Sequence, residues 1–263
     1  MILDVKTIAN ECKQKLDLKK KRMLIIQVGN NLASNKYING KISDLEECRG
    51  KYTLFKGDNT VEFYHEVLDF LDTNKHRYDG IVLQSPAFSV DKWDESVLDK
   101  ISPLQDIDGL KPDSKHLPCT PAAVIKLLHR FLENEDETFL KGKIVAVVGK
   151  GKMCGMPLVP LLMKAGATVL SLNSSTPDLS HYTREADIVV SAVGKANLIT
   201  RDMLKENTIV IDVGIAANED GKMCGDCSPE LYDDPTIKVT PVPGGVGLMT
   251  RVMLLENLRD SRV

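Results

Sequence analysis

Two successive runs of alternating strand and helix patterns predict an α/β protein of two domains, the second of them Rossmann-like. Three observations carry that expectation. Residues 23–29, but for Gln27, and 144–148 are apolar without alternation, as strands covered on both faces of a parallel sheet are. Segments of helical period lie between the strands. Gly149, Gly151 and Gly155 directly follow strand 144–148 and precede a helix, which is the strand–turn–helix arrangement that binds phosphate.

At 263 residues the chain can form two domains of ordinary size, each with its own core. A hydrophobic content of 43% with 27% charged residues is usual for a soluble globular protein. The net charge of −3 gives no electrostatic case for nucleic acid or an anionic membrane. The basic run at 19–22 caps a helix end in solvent. No stretch approaches the ~20 apolar residues of a membrane span, and no leader pattern opens the chain. A cytoplasmic protein is expected.

In the first domain, 3–20 is helical, 23–29 a strand, and 34–47 a helix weakened by Gly40, which costs about 1 kcal/mol relative to Ala. Strand 52–55, helix 61–71 and strand 80–85 follow, the last stopped by Pro86. Helix 91–101 leads into the irregular segment 102–109. Thr120 and Pro121 mark a helix start, with 122–132 running into the charged loop 133–137, the expected linker. The second domain reads strand 144–148, helix 158–165 ending at Gly166, strand 168–172, a short helix near Ser180, strands 187–192, 208–213 and 237–240, and a final helix 247–259.

Six cysteines form no disulfide framework. Cys224 and Cys227 are spaced C-x-x-C, yet their flanks are those of a turn, whereas a redox pair opens a helix after a strand. No second pair completes a zinc site, so no metal is expected.

An NAD-binding Rossmann domain places an acid at the end of its second strand to hold the ribose 2′-OH. Here 172–176 is Leu-Asn-Ser-Ser-Thr, which with Lys150 nearby suits a 2′-phosphate and hence NADP, unless a shifted register brings in Asp178. Tyr37 and Lys41, four apart, share one helix face. Gln84 ends strand 80–85, at the carboxyl edge where open α/β sheets bind ligands, and Asp106 and Asp108 lie in a loop near that edge.

Residues 240–250 (TPVPGGVGLMT) closely resemble a signature of the methylenetetrahydrofolate dehydrogenase/cyclohydrolase family. Further blocks of that family fall in order: Tyr37 with Lys41, 82–86 (VLQSP), 105–109 (QDIDG), 118–121 (PCTP), the glycine loop and 210–215 (VIDVGI). The resemblance runs from about residue 23 to 258. It implies two α/β domains, 1–119 plus 247–263 for folate and catalysis and 120–246 for NADP, with the active-site cleft between them. The implied enzyme oxidises 5,10-methylenetetrahydrofolate with NADP (NAD as the lesser option) and hydrolyses the methenyl product to 10-formyltetrahydrofolate. It would be a homodimer serving one-carbon metabolism and purine biosynthesis, with tetrahydrofolate derivatives as its partners.

Carried over by position, Lys41 is the central catalytic group, with Tyr37 stacking on the folate. Gln84 would hydrogen-bond Lys41 and help keep it uncharged, and Asp108 would anchor the pterin. Leu83, Ser85, Pro243, Gly244, Gly245, Val246 and Gly247 would line the folate side. Gly149, Lys150, Gly151, Ser174 and Ile215 would contact the dinucleotide. The chain departs from the family pattern at Ala87, Phe88, Gln105, Lys150, Gly151, Asn173 and Leu248. Most of these fall on cofactor affinity and cleft shape. Three alternatives stay open: a dehydrogenase with weak cyclohydrolase, a non-catalytic dinucleotide- or folate-binding protein, and a C-x-x-C redox protein.

Overall fold

The computed structural model describes residues 1–88 and 92–261, and the chain clusters into two compact units. The first unit is Asn10–Cys119 with the chain from Arg251 onward; the second is Met1–Ala9 with Thr120–Thr250. Three details differ from the sequence expectation, one being that residues 247–250 stay with the second unit and the chain returns to the first only at Arg251. The first nine residues join the second unit, because Leu3 N–H donates to Val239 O at 2.9 Å, Val239 N–H donates to Met1 O at 3.0 Å, and Ile2 forms a parallel bridge with Val239. The division also falls at Cys119, where a helix starts, and not at the charged loop 133–137. That loop is a local turn in which Asn134 accepts the N–H of Asp136 at 2.9 Å.

The first unit is built on three parallel strands, β1 (Arg22–Val28), β2 (Lys51–Gly57) and β3 (Gly80–Leu83), in the order β2-β1-β3. Every residue of β1 after Arg22 is buried, which is why its sequence does not alternate. One face packs Met23, Ile25 and Val82 with Ile38 and Leu45 of α2 (Leu32–Glu47) and Leu254, Leu255 and Leu258 of the last helix. The opposite face packs Leu24, Ile26, Ile81 and Leu83 with Phe63, Val67 and Leu71 of α3 (Val61–Asn74). Thr60 caps α3 by accepting the N–H of Phe63 at 3.2 Å. The opening helix, α1, is Val5–Gln14, shorter than expected, and α4 is Trp93–Lys100; the expected start at Asp91 lies outside the described residues.

In the second unit five parallel strands, β4 (Ile144–Val148), β5 (Thr168–Leu172), β6 (Ile188–Ser191), β7 (Ile209–Asp212) and a short Lys238–Val239, run in the order Lys238–Val239, β7, β6, β4, β5. In order of appearance this is the doubly wound 2-1-3-4-5 arrangement, whose switch point lies between β4 and β6. Helix α5 (Cys119–Leu132) takes Thr120 and Pro121 into its first turn, and α6 (Gly155–Lys164) begins three residues before the expected helix. α7 is Leu179–Glu185. A two-stranded antiparallel hairpin, β8 (Ala216–Ala217) and β9 (Met223–Cys224), follows β7; α8 is Glu230–Asp233, Lys238–Val239 is β10, and α9 (Val246–Asp260) closes the chain.

Candidate active site

Lys41 stands in the middle of α2 and is only 4% exposed. One turn earlier on the same face, the Tyr37 ring centroid lies 5.3 Å from its Nζ, within cation–π reach. The ammonium also lies 3.6 Å from Asp108 Oδ2, an ion-pair contact longer than a hydrogen bond. Asp108 is set by its loop. Ile81 N–H donates to Gln105 O at 2.8 Å, and Ile81 forms an isolated parallel bridge with Asp106; the chain then turns, with Gly109 N–H on Asp106 O at 3.2 Å and Asp108 inside the turn. Gly109, at φ +72°, turns the chain where a Cβ would stand 2.6 Å from Leu117 O. Asn257 of α9 then donates to Ile107 O at 2.8 Å and to Leu117 O at 3.2 Å, holding both sides of the loop.

The two acids of this loop divide their work. Asp106 is 1% exposed and accepts the N–H of Lys111 at 2.8 Å, a structural task; only Asp108 faces the lysine. Gln105, where the family pattern has a lysine, is also structural: its amide donates to Lys75 O at 2.7 Å and Tyr78 O at 2.8 Å.

The expected hydrogen bond between Gln84 and Lys41 is not formed. Gln84 Nε2 donates to Ser85 O at 2.8 Å, and Gln84 Oε1 is buried with no partner. A buried acceptor in that state costs about 1–3 kcal/mol. Leu83 belongs to the buried cluster with Phe63 and Phe88, so it offers the site only its main chain; Ser85 is exposed.

Gly40 precedes Lys41, and its presence inside a helix has a packing cause. A Cβ there would lie 2.8–3.2 Å from the guanidinium of Arg251, which crosses α2 to donate from Nε to Asp44 Oδ2 at 2.6 Å. Lys13 donates to the other Asp44 oxygen at 2.9 Å.

In the second unit, Gly149 (φ +108°) closes β4 with its N–H on Leu172 O at 2.9 Å. A Cβ there would stand 2.5 Å from Ala192 O, and one on Gly155 would stand 1.9 Å from Gly149 O. These two glycines are needed by the backbone itself, whereas a Cβ on Gly151 would meet nothing within 4 Å. Lys150, Gly151 and Ser174 are exposed, and Ile215 is 59% exposed. β5 pairs Leu172 with Val148, which fixes the register and leaves Asn173 at the strand end. Asp178 lies six residues beyond Leu172 and caps α7, accepting from Ser180 Oγ at 2.7 Å and His181 N–H at 3.2 Å; these bonds hold its pKa below the usual carboxylate value. No acid stands at that strand end.

Among the other predicted folate-side residues, all in the second unit, Pro243 and Gly244 are exposed while Gly245 and Val246 are buried and Gly247 is half-buried. Gly244 has φ +100°, and a Cβ on Gly245 would stand 2.2 Å from Pro241 O. Leu248 N–H donates to Gly245 O at 3.0 Å, a bond that the family's proline would lack.

Fold and site together define an α/β protein with a dinucleotide-type glycine loop on one sheet and a buried lysine–carboxylate pair beside the other. Residues 3–108 match the catalytic domain of tetrahydrofolate dehydrogenase/cyclohydrolase, and residues 118–262 match its NAD(P)-binding domain. The chain belongs to the tetrahydrofolate dehydrogenase/cyclohydrolase family. The bifunctional protein FolD of Campylobacter jejuni is 37% identical over 282 aligned residues, covering 99% of this chain and 97% of that one. The crystal structure of a FolD methylenetetrahydrofolate dehydrogenase/cyclohydrolase from C. jejuni superposes with a TM-score of 0.87 at 34% identity, covering 99% and 97% of the two chains. That of the Trypanosoma brucei enzyme, complexed with NADP cofactor and inhibitor, gives 0.86 at 28% identity over 98% and 95%.

Proposed function

We propose that the chain is a bifunctional enzyme that oxidises 5,10-methylenetetrahydrofolate to the methenyl cation and hydrolyses that cation to 10-formyltetrahydrofolate. The observation that carries the site assignment is the buried Lys41 held between Tyr37 and Asp108. Membership of the family and the FolD relatives support both activities. The dinucleotide is NADP, held by Gly149, Lys150, Gly151, Ser174 and Ile215. The exposed Lys150 in the glycine loop, the absence of an acid after β5 and the NADP-bound T. brucei relative support that choice.

When bound, NADP⁺ supplies the hydride acceptor. The protein's part in that step is to hold donor and acceptor carbons at contact distance. In the second step water adds to the methenyl carbon, one carbon–nitrogen bond opens, and Lys41 Nζ carries the proton between water and the departing nitrogen. Folate binding at Asp108 draws that carboxylate to the pterin N–H groups and releases Lys41 toward Gln84 Oε1, a buried acceptor that no donor of the protein reaches. Leu83, Ser85 and residues 243–247 complete the folate-side set. Cytoplasmic residence and a homodimer form part of the same proposal, the first supported by cysteines at six scattered positions with no disulfide framework, which suits a reducing compartment. So does supply of formyl groups to purine biosynthesis.

The deciding measurement is a two-cofactor assay with methylenetetrahydrofolate, run beside hydrolysis of the methenyl compound. Reduction of NADP⁺ faster than NAD⁺, with hydrolysis abolished by Lys41→Ala, is the expected result. Absence of both activities at micromolar enzyme overturns the proposal. Dehydrogenase activity without hydrolysis selects the monofunctional alternative, and turnover unaffected by Lys41→Ala removes the lysine from its role.

A further inference from the structure

We propose that Asp226 is a positioning residue for the dinucleotide, a buried carboxylate that shapes the loop after β6 from beneath. The inference rests on the reading that the second unit binds a dinucleotide. Asp226 is fully buried. Its Oδ2 accepts from Ser191 Oγ at 2.6 Å and Val193 N–H at 2.9 Å; its Oδ1 accepts from Gly194 N–H and Lys195 N–H, both at 2.8 Å. Three consecutive main-chain N–H groups thus converge on one side chain, inverting the usual arrangement in which such a nest receives an outside anion.

The loop that Asp226 holds lies at the sheet's switch point, where doubly wound folds bind their ligands. Around that point the loops after β4, β6 and β7 touch in turn. A Cβ on Gly149 would stand 2.5 Å from Ala192 O, and one on Gly194 (φ +80°) would stand 3.2 Å from Ile215 O. A Cβ on Gly214 would lie 2.0 Å from Asp226 Oδ1, so the carboxylate also sits directly against the loop after β7. The two loops present Val193, 47% exposed, and Ile215, 59% exposed, as apolar groups kept in the open beside the glycine loop. Asp226 is itself fixed from its other side. Its N–H donates to Asp212 Oδ1 at 3.0 Å, and its carbonyl accepts from Leu198 N–H at 2.7 Å and Ile199 N–H at 3.0 Å. No ligand contact is assigned to Asp226; it acts through Val193, Gly194 and Lys195.

Asparagine at 226 has the same shape but turns one oxygen into an N–H₂ group facing donors, so at least one of the four bonds is lost and the loop must shift. The two proposed activities give an internal control, because hydrolysis of the methenyl compound uses no dinucleotide. Asp226→Asn is expected to raise KM for NADP⁺ and its calorimetric Kd at least tenfold, with cyclohydrolase kcat within about twofold of wild type. Gly194→Ala, which strains the same loop and leaves the carboxylate in place, is expected to give the same split and serves if the first variant does not fold. Ser191→Ala, which removes one bond of four, is expected to show a smaller shift in the same direction. Unchanged NADP⁺ affinity in Asp226→Asn and Gly194→Ala overturns the inference, as does a parallel fall of both activities, which is the mark of general structural damage. A wild-type protein that binds neither dinucleotide refutes the proposed cofactor itself, and the inference with it.

Discussion

The guanidinium of Arg251 lies over the α-carbon of Gly40, so close that a methyl group there would come within 2.8 Å of Nη1. One residue later on the same helix stands Lys41. The glycine therefore weakens α2 locally but admits the arginine that joins the helix to α9 through Asp44. In the wild-type background, Gly40→Ala is expected to displace Arg251 and lower both stability and turnover. In an Arg251→Ala background the same change meets no guanidinium and should stabilise by about 0.5–1 kcal/mol, the helix propensity of alanine over glycine. Urea unfolding of the four proteins measures this reversal. Equal effects of Gly40→Ala in both backgrounds would show the two residues to be uncoupled.

Gln84 Oε1 is buried and no donor of the protein reaches it. Replacing it with the apolar, similarly sized methionine is expected to leave stability unchanged or raise it by up to about 2 kcal/mol, since the unsatisfied oxygen disappears. Turnover should fall at least tenfold in the same variant. A destabilised Gln84→Met protein with full activity would contradict both halves.

Acid stability has a defined contribution from Asp234. Hydrogen bonds from the hydroxyl and N–H of Thr236, followed by Arg201, lower its pKa from 3.8 to about 2. A carboxyl group depressed in the folded state favours folding above its unfolded pKa, and that contribution disappears as pH falls through the folded value. The difference in thermal midpoint between wild type and Asp234→Asn should thus be full at about pH 6, shrink between about pH 4 and pH 2, and vanish below. A constant difference across that range would assign the stabilisation to something other than this ionisation.

Five of the six cysteines are buried, and Cys224 is half-buried. Burial, then the neighbouring Asp212, drives the Cys227 thiol up, the opposite of a redox-active pair; burial also pushes Cys154 up to about 12. Brief alkylation of the native protein at about pH 8 should mark Cys224 first, read by peptide mass spectrometry. Cys224→Ser should keep both activities. Loss of either one in that variant would reopen a role for the C-x-x-C pair.

Strand β4 falls at the bounds that its apolar run predicts, because a strand buried on both faces needs no partner information to be read. Helix α1 was overextended in sequence because Leu16 and Leu18 continue its apolar pattern, though both are buried in the turn that follows. At the site, Tyr37 and Lys41 were visible as a helical pair and Asp108 as one of two loop acids. Nothing local separated Asp108 from Asp106; the bridge to Ile81 does that. Arg251 and Asn257 carry no local signal, because their partners lie 207 and 150 residues away. Asp226 was hidden by its setting between two cysteines, although Gly214 and Gly225 each leave space for a buried carboxylate and could have signalled it.

Asn257 ties down the Asp108 loop from the last turn of α9. A ribosome making this protein releases Lys41 and Asp108 well before the clamp that fixes the acid, which follows 150 residues after Ile107. The unit around Lys41 must wait, partly assembled, while the whole of the second sheet is synthesised. A product that stops before Asn257 would carry Tyr37, Lys41 and Asp108 and still lack the means to aim the last of them.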